Sequence, residues 1–205
     1  MSHPAGKRSR VAGTPLLAAA LALAAACSGG ESWRAKQAAP AVWADPAVIA
    51  DLDLAVLDRL RKAGAAEVFV PAVHLDWEGD APALTVAPGL AAPRRLPATL
   101  VVEGAWPAGA PADSKAVVDR LSEELRAAAL AAERAGLIPV GFHFALRLAG
   151  DEGSLAAYAG VLAALRCEID PRLYLSSDLD RQRLDDPETR ELASAVDFLV
   201  VRLFG

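Results

Sequence analysis

Residues 140–177 read VGFHFALRLAGDEGSLAAYAGVLAALRCEIDPRLYLSS, and this stretch decides the fold class. It opens on Val140–Leu146, a short apolar run with one histidine inside, which predicts a buried strand. Ser154–Arg166 follows, rich in alanine and leucine, and its length and composition predict a helix. Arg172–Ser177 predicts the next strand. A strand, a helix and a strand in succession form the crossover that parallel pairing requires, because a tight hairpin cannot return the chain to the same end of the sheet. Phe142 and Phe144 alternate with His143, so the two aromatic rings and the imidazole face opposite ways. With the phenylalanines against the helices, His143 points to the interior, as a satisfied core histidine or as a functional one.

The same alternation extends in both directions. A first strand around Ala41–Ala44 leads to Asp45-Pro46, an N-cap with proline at the first helical position, and the helix runs to Lys62 before Gly64. Ile49, Leu52, Val56 and Leu60 make its apolar stripe. Glu67–His74 is the second strand, Trp77–Gly89 a turn-rich stretch with a short strand at Leu84–Val86, and Thr99–Glu103 the third strand. Asp113 and Ser114 cap the longest helix, which runs to Gly136 with Val117, Leu121 and Leu125 inward. Downstream of the quoted stretch, Asp186-Pro187 starts a short helix ending near Ser194, and Phe198–Leu203 is the last strand.

Near-continuous apolar strands alternating with helices predict an α/β fold with a parallel sheet. Right-handed crossovers leave a doubly wound open sheet or a barrel. Gly64 and Gly104 stand alone rather than in G-x-G-x-x-G, so the dinucleotide-binding version is not supported. The expected architecture over residues 41–205 is a TIM-barrel-like (β/α) repeat, incomplete at about six strands where a barrel has about eight. The alternative is an open parallel sheet.

Composition bounds the function. The chain has 205 residues, 54% of them hydrophobic, and a formal charge of −5, which suits one globular domain and offers no basic surface to nucleic acid. Two distant cysteines exclude a disulfide scaffold, and three histidines leave little for a metal site, so neither metal nor cofactor is expected.

The first 26 residues read as a targeting segment. Lys7, Arg8 and Arg10 precede the apolar run from Val11 to Ala26, which leads into Cys27. Ala24-Ala25-Ala26 before Cys27, with Ser28-Gly29-Gly30 after it, resembles the lipobox of bacterial lipoprotein signals, although Leu23 sits one place before the usual leucine. In that family cleavage precedes the cysteine, whose thiol carries a diacylglycerol alongside fatty acyl groups such as palmitate. Competing readings are an ordinary secretory signal with a free Cys27, or a membrane-spanning anchor, for which the run falls short of about 20 residues. Residues 27–40 then form a lipidated cysteine and polar tether. Loss of residues 1–26 takes three positive charges and no negative one, so the mature chain carries −8 and attachment rests on the acyl chains. The implied location is the bacterial cell envelope, facing periplasm or exterior. Cys167 follows the helix stripe of Leu162 and Leu165 and is expected to be a buried, inert thiol.

From Ala41 onward the order of segments resembles an uncharacterised family of bacterial secreted proteins and lipoproteins, of unknown function, expected to form barrels similar to those of glycoside hydrolases. Val42-Trp43 opens the resemblance. It continues through Val73-His74-Leu75-Asp76-Trp77-Glu78, Gly141-Phe142-His143-Phe144 with the helix Leu155–Arg166, and Val196-Asp197-Phe198-Leu199-Val200-Val201-Arg202. Where the family has an acidic end resembling Asp-x-Asp after the fourth strand, this chain has His143-Phe144-Ala145, and the family's barrel continues past residue 205, so the chain reads as truncated relative to it. The resemblance implies a glycoside-hydrolase-like barrel without guaranteeing hydrolysis.

Functional side chains of parallel α/β folds gather where the strands end. Those positions hold His74, Asp76, Glu78, Glu103, His143, Arg147, Ser177, Asp178 and Arg202. Glycoside hydrolysis needs two carboxylates, about 5 Å apart for retention and about 6.5–9.5 Å for inversion. Glu103 and Asp178 are the catalytic candidates, and the competing reading pairs Glu103 with Arg147 or Arg202. Trp77 and Trp106, each near a strand end, are the candidate sugar platform, with core caps as the alternative, and His143 and Arg202 complete the binding set. His74 and Asp76 share a face without a nearby third metal ligand, Ser176-Ser177-Asp178 lacks a G-x-S-x-G elbow, and Asp178, Asp180, Asp185 and Asp186 read as a solvated turn. The expected partners are the membrane, through the lipid anchor, and a carbohydrate or protein bound without chemistry if the site is not catalytic.

Overall fold

The computed structural model describes residues 41–202 apart from 50–53, 66, 89, 93–94, 111–114 and 150–152. The leader, Cys27 and the tether lie outside the described residues, as do the Asp113 and Ser114 cap and Leu52. Among the described residues no helix is long and apolar enough to cross a membrane.

The strands are β1 (Ala41–Trp43), β2 (Glu67–Glu78), β3 (Ala81–Val86), β4 (Leu96–Trp106), β5 (Leu137–Leu148), β6 (Tyr174–Asp180) and β7 (Phe198–Arg202). The helices are α1 (Pro46–Ile49), α2 (Leu54–Lys62), α3 (Lys115–Arg134), α4 (Ser154–Glu168) and α5 (Thr189–Ala195), with a single 3-10 turn at Arg181–Arg183. The sheet runs β1-β2-β4-β5-β6-β7, and every neighbouring pair on that path is parallel. These six strands form a curled half-barrel, the incomplete TIM-barrel-like fold.

Two apolar layers separate cleanly by strand face. Val68, Val70, Ala98, Leu100, Val102, Phe142, Phe144, Leu175 and Leu179 join one buried cluster with Val117, Leu121 and Leu125 of α3 and Leu155, Val161, Leu162 and Leu165 of α4. Their period of two on strands and three or four on helices is what makes both surfaces bury together. Phe69, Val101 and Tyr174 are buried as well but lie outside that cluster, on the concave face. The curl is measurable. Trp43 on β1 and His143 on β5 are separated by β2 and β4, yet their ring centroids lie 5.4 Å apart.

β2, β4 and β5 are longer at their ends than the sequence alone predicts, and the stretch after the second strand is different in kind. Trp77 and Glu78 belong to β2, which turns at Gly79-Asp80 and pairs antiparallel with β3 from Glu78↔Ala81 to Val73↔Val86. Gly79 takes a φ of 65°, the left-handed value that a two-residue hairpin loop needs and that glycine adopts without a Cβ penalty. β6 starts two residues late and runs to Asp180, so Asp178 and Asp180 lie in a strand instead of a solvated turn.

A bulge decides which β2 side chains reach the site. Pro71 pairs with Val101 but Val73 pairs with Val102, so Ala72 is the extra residue. One extra residue reverses the alternation beyond it. Phe69 faces the concave side before the bulge; His74, Asp76 and Glu78 face it afterwards, while Leu75 joins the helix-side cluster and Trp77 packs against that cluster.

On the concave face Gly141 stands between Thr99 and Tyr174 in register, and the Tyr174 hydroxyl crosses it to hydrogen-bond Thr99 Oγ1. A Cβ at Gly141 would sit 2.6 Å from the Tyr174 ring. Gly141→Ala is therefore expected to cost about 1–3 kcal/mol through overpacking, read by urea unfolding. Wild-type stability in that variant would mean the ring is free to move aside.

Candidate functional site

The concave face carries a chain of buried polar contacts across three adjacent strands. His143 of β5 is fully buried, with Nδ1 2.9 Å from Ser176 Oγ and Nε2 2.9 Å from Asp178 Oδ1 on β6. A carboxylate only accepts, so Nε2–H donates to Asp178, while Nδ1 shares a hydrogen bond with the Ser176 hydroxyl, which also lies 3.4 Å from the Phe142 carbonyl. Asp178 Oδ2 lies 2.9 Å from Arg202 Nε on β7, whose guanidinium also lies 3.6 Å from Asp180 Oδ1 and donates through Nη2 to the Leu146 carbonyl at 3.3 Å. The register puts these groups side by side: His143 opposite Ser176, and Asp180 opposite Arg202. His143 is thus the satisfied interior histidine, facing away from Phe142 and Phe144 as their alternation requires.

The opposite face of β6 has its own polar contact. Tyr158 of α4 lies 2.8 Å from Ser177 Oγ, and burial pushes the phenol well above its ordinary pKa. Ser176 and Ser177 therefore serve opposite sides of one strand.

Glu103 is exposed on the concave side of β4, in register with Ala145 and His74. Among the described residues it forms no ion pair with Arg147 or Arg202; Arg202 is held by Asp178 and Asp180 instead. Asp178 lies one residue past the Phe144↔Ser177 pair, two strands from Glu103, so the backbones stand about 10 Å apart at normal strand spacing. One carboxylate is solvated and the other is committed to two partners. Beside them His74 Nε2 lies 3.4 Å from Asp76 Oδ1, both exposed.

The two tryptophans expected at the mouth are core residues. Trp106 is 2% exposed and packs edge-on to Trp77, ring centroids 5.0 Å apart, with Tyr158 at 5.3 Å. Trp77 is half-buried and donates its indole N–H to the Ala105 carbonyl at 3.1 Å. Both rings lie on the helix side, Trp77 because of the bulge and Trp106 because it continues the alternation of Leu100 and Val102. Cys167 is also corrected, since its side chain is exposed on α4.

An aromatic residue exposed on the concave side is Trp43. It is 48% exposed, stacks on Phe69 at 5.2 Å and 27°, and meets the edge of His143. Phe69 meets His143 at 5.3 Å, so the three rings form one cluster at the edge of the polar chain. The available signal was its place at the end of the first strand, but periodicity cannot tell which face of a three-residue strand is open.

No protein-family profile matches the chain, and no curated protein matches it. Among solved structures it is similar to a mutant GH18 chitinase from Cycas revoluta in complex with (GlcNAc)4, with a TM-score of 0.52 and 13% identity over 80% of this chain and 54% of that one. The chain thus spans about half the length of that chitinase. The likeness shows a shared fold: the curled parallel half-barrel is an incomplete TIM-barrel-like fold.

Proposed function

We propose that this is a lipid-anchored envelope protein that binds carbohydrate on the concave face of its half-barrel without hydrolysing it. The observation that carries the reading is Trp43: a half-exposed indole, backed by Phe69 and His143, at the edge of a row of polar side chains. A rigid aromatic face meets the apolar face of a sugar ring, and polar groups beside it satisfy the hydroxyls. The similar chitinase holds (GlcNAc)4, which makes that oligosaccharide the first probe. Against hydrolysis stands the state of the carboxylates. Asp178 spends both oxygens on His143 and Arg202, so it is not free to act as the partner acid of Glu103. Lipid attachment at Cys27 is supported by the leader Lys7–Ala26 and its lipobox-like end.

Calorimetric titration with (GlcNAc)4 tests the reading. Trp43→Ala is expected to weaken binding about tenfold, the loss of one aromatic stacking contact, while Glu103→Gln stays within about threefold. Measurable release of shorter sugars by the wild type, abolished by Glu103→Gln, would replace binding with catalysis. Undiminished affinity in Trp43→Ala would remove the concave platform.

A further inference from the structure

We infer that His143 is a positioning residue for the Trp43 platform and holds it more firmly once it takes a proton, so that acid tightens carbohydrate binding on the concave face. This rests on the binding role proposed above for Trp43 and adds its regulation by pH.

The contact comes first. The fully buried His143 ring lies 5.4 Å from Trp43 and 5.3 Å from Phe69, at 86° and 74° to them. Trp43 belongs to a three-residue strand at the end of the sheet order, so the aim of its half-exposed ring depends on the rings it leans against. The hydrogen bonds around His143 then accept a proton with no heavy atom moving. Neutral His143 donates from Nε2 to Asp178 and accepts at Nδ1 from the Ser176 hydroxyl. With both nitrogens protonated, Nδ1–H donates to Ser176 Oγ, and the hydroxyl turns its own proton to the Phe142 carbonyl, 3.4 Å away.

The charges beside it call for that proton. Arg202 Nε lies 2.9 Å from Asp178 and 3.6 Å from Asp180, so two carboxylates share one guanidinium. Next to a neutral imidazole this group carries one uncompensated negative charge, and a proton on His143 brings it to neutrality. Burial works against the imidazolium, while the Asp178 carboxylate, 2.9 Å from Nε2, works for it. The other charged groups on this face lie further along the strands. They are Glu103 of β4 and Arg147 of β5, one of each sign, and His74, Asp76 and Glu78 of β2. A cation within about 6 Å of an aromatic ring is attracted to its π electrons, and His143 stands inside that distance of both Trp43 and Phe69. The protonated form thus orders the platform before a ligand arrives, and ordering that binding no longer has to supply appears as affinity.

The test titrates the full chain with (GlcNAc)4 by calorimetry at about pH 5 and about pH 8, the range over which histidine changes charge. Affinity is expected to be about fivefold tighter at the acid end. His143→Gln keeps a donor and an acceptor but takes no proton, and should bind equally at both ends. A second measurement leaves His143 in place, so it stands even if that buried substitution unfolds the chain. It is the emission of Trp43, taken as wild type minus Trp43→Phe. An imidazolium accepts an electron from an excited indole beside it, so this emission should fall as the pH drops. In Ser176→Ala, which removes the acceptor for Nδ1–H, the fall should need more acid. Equal affinity and constant Trp43 emission at the two pH values would overturn the inference and leave the carbohydrate reading standing. Affinity that changes with pH while Trp43 emission stays constant would place the titrating group elsewhere and overturn it too. Trp43 emission that responds to pH in a chain that binds no (GlcNAc)4 would remove the carbohydrate reading and leave the proton-held platform.

Discussion

Trp106→Ala lowers the unfolding free energy by about 3–5 kcal/mol, the range for truncating a fully buried large aromatic residue. The indole is only 2% exposed and fills the space between Trp77 and Tyr158 at the end of β4, so removing it opens a cavity against two other rings that cannot collapse to fill it. For a domain of this size each kcal/mol shifts the melting temperature by about 2–4 °C, which puts the loss near 10 °C. Trp106 Nε1 also finds no hydrogen-bond acceptor among the described residues, and a buried unpaired donor is itself costly. Trp106→Phe removes that donor along with part of the ring, and its loss should be less than half that of the alanine variant. Urea unfolding of the three proteins measures both. A change below 1 kcal/mol in Trp106→Ala would return this residue to the surface role its sequence position invites.

The second large effect belongs to Asp178. Asp178→Ala strips the acceptor from His143 Nε2–H and the carboxylate from Arg202, leaving a fully buried imidazole donor unpaired and a cation short of its closest partner. Breaking a buried pair from one side costs about 3–5 kcal/mol; because Arg202 is half exposed and keeps Asp180 nearby, the lower end applies. Asp178→Asn still accepts from His143 and should lose roughly half as much. Asp180→Ala, removing an exposed carboxylate, should stay within about 1 kcal/mol. The ordering Asp178→Ala, Asp178→Asn, Asp180→Ala in chemical denaturation is the informative result. Equal and small losses in all three would mean that the polar chain is not a structural unit and that Asp178 is available for chemistry.

Much of the fold was legible from local pattern. The Val140–Ser177 unit repeats its logic along the chain, and the helices reading Val117-Leu121-Leu125 and Leu155-Leu162-Leu165 bury those faces. His143 was legible too, because strict alternation with two phenylalanines leaves it one direction once helices cover the other. The β2–β3 hairpin was missed because Gly79-Asp80 lies inside a stretch dense in proline and glycine, where turn residues obscure alternation. The site was less legible than the fold. Trp77 and Trp106 sit at strand ends as a platform would, and Trp43 lies in a segment too short to have a measurable period.

Sequence by itself determined the class of element, the parallel order it imposes and the residues that must be interior, since burial of apolar surface has a period that can be counted. What only the tertiary structure decided is which interior each side chain enters. Ala72, one residue in excess, reverses β2, sending Trp77 into the helix-side core and His74, Asp76 and Glu78 to the mouth. Curling of the sheet then brings Trp43 to His143 across two intervening strands and leaves the Ser176, His143, Asp178 and Arg202 contacts closed among themselves. Bulge position and sheet curvature arise from contacts between residues far apart in the chain, and no window of neighbouring residues contains them.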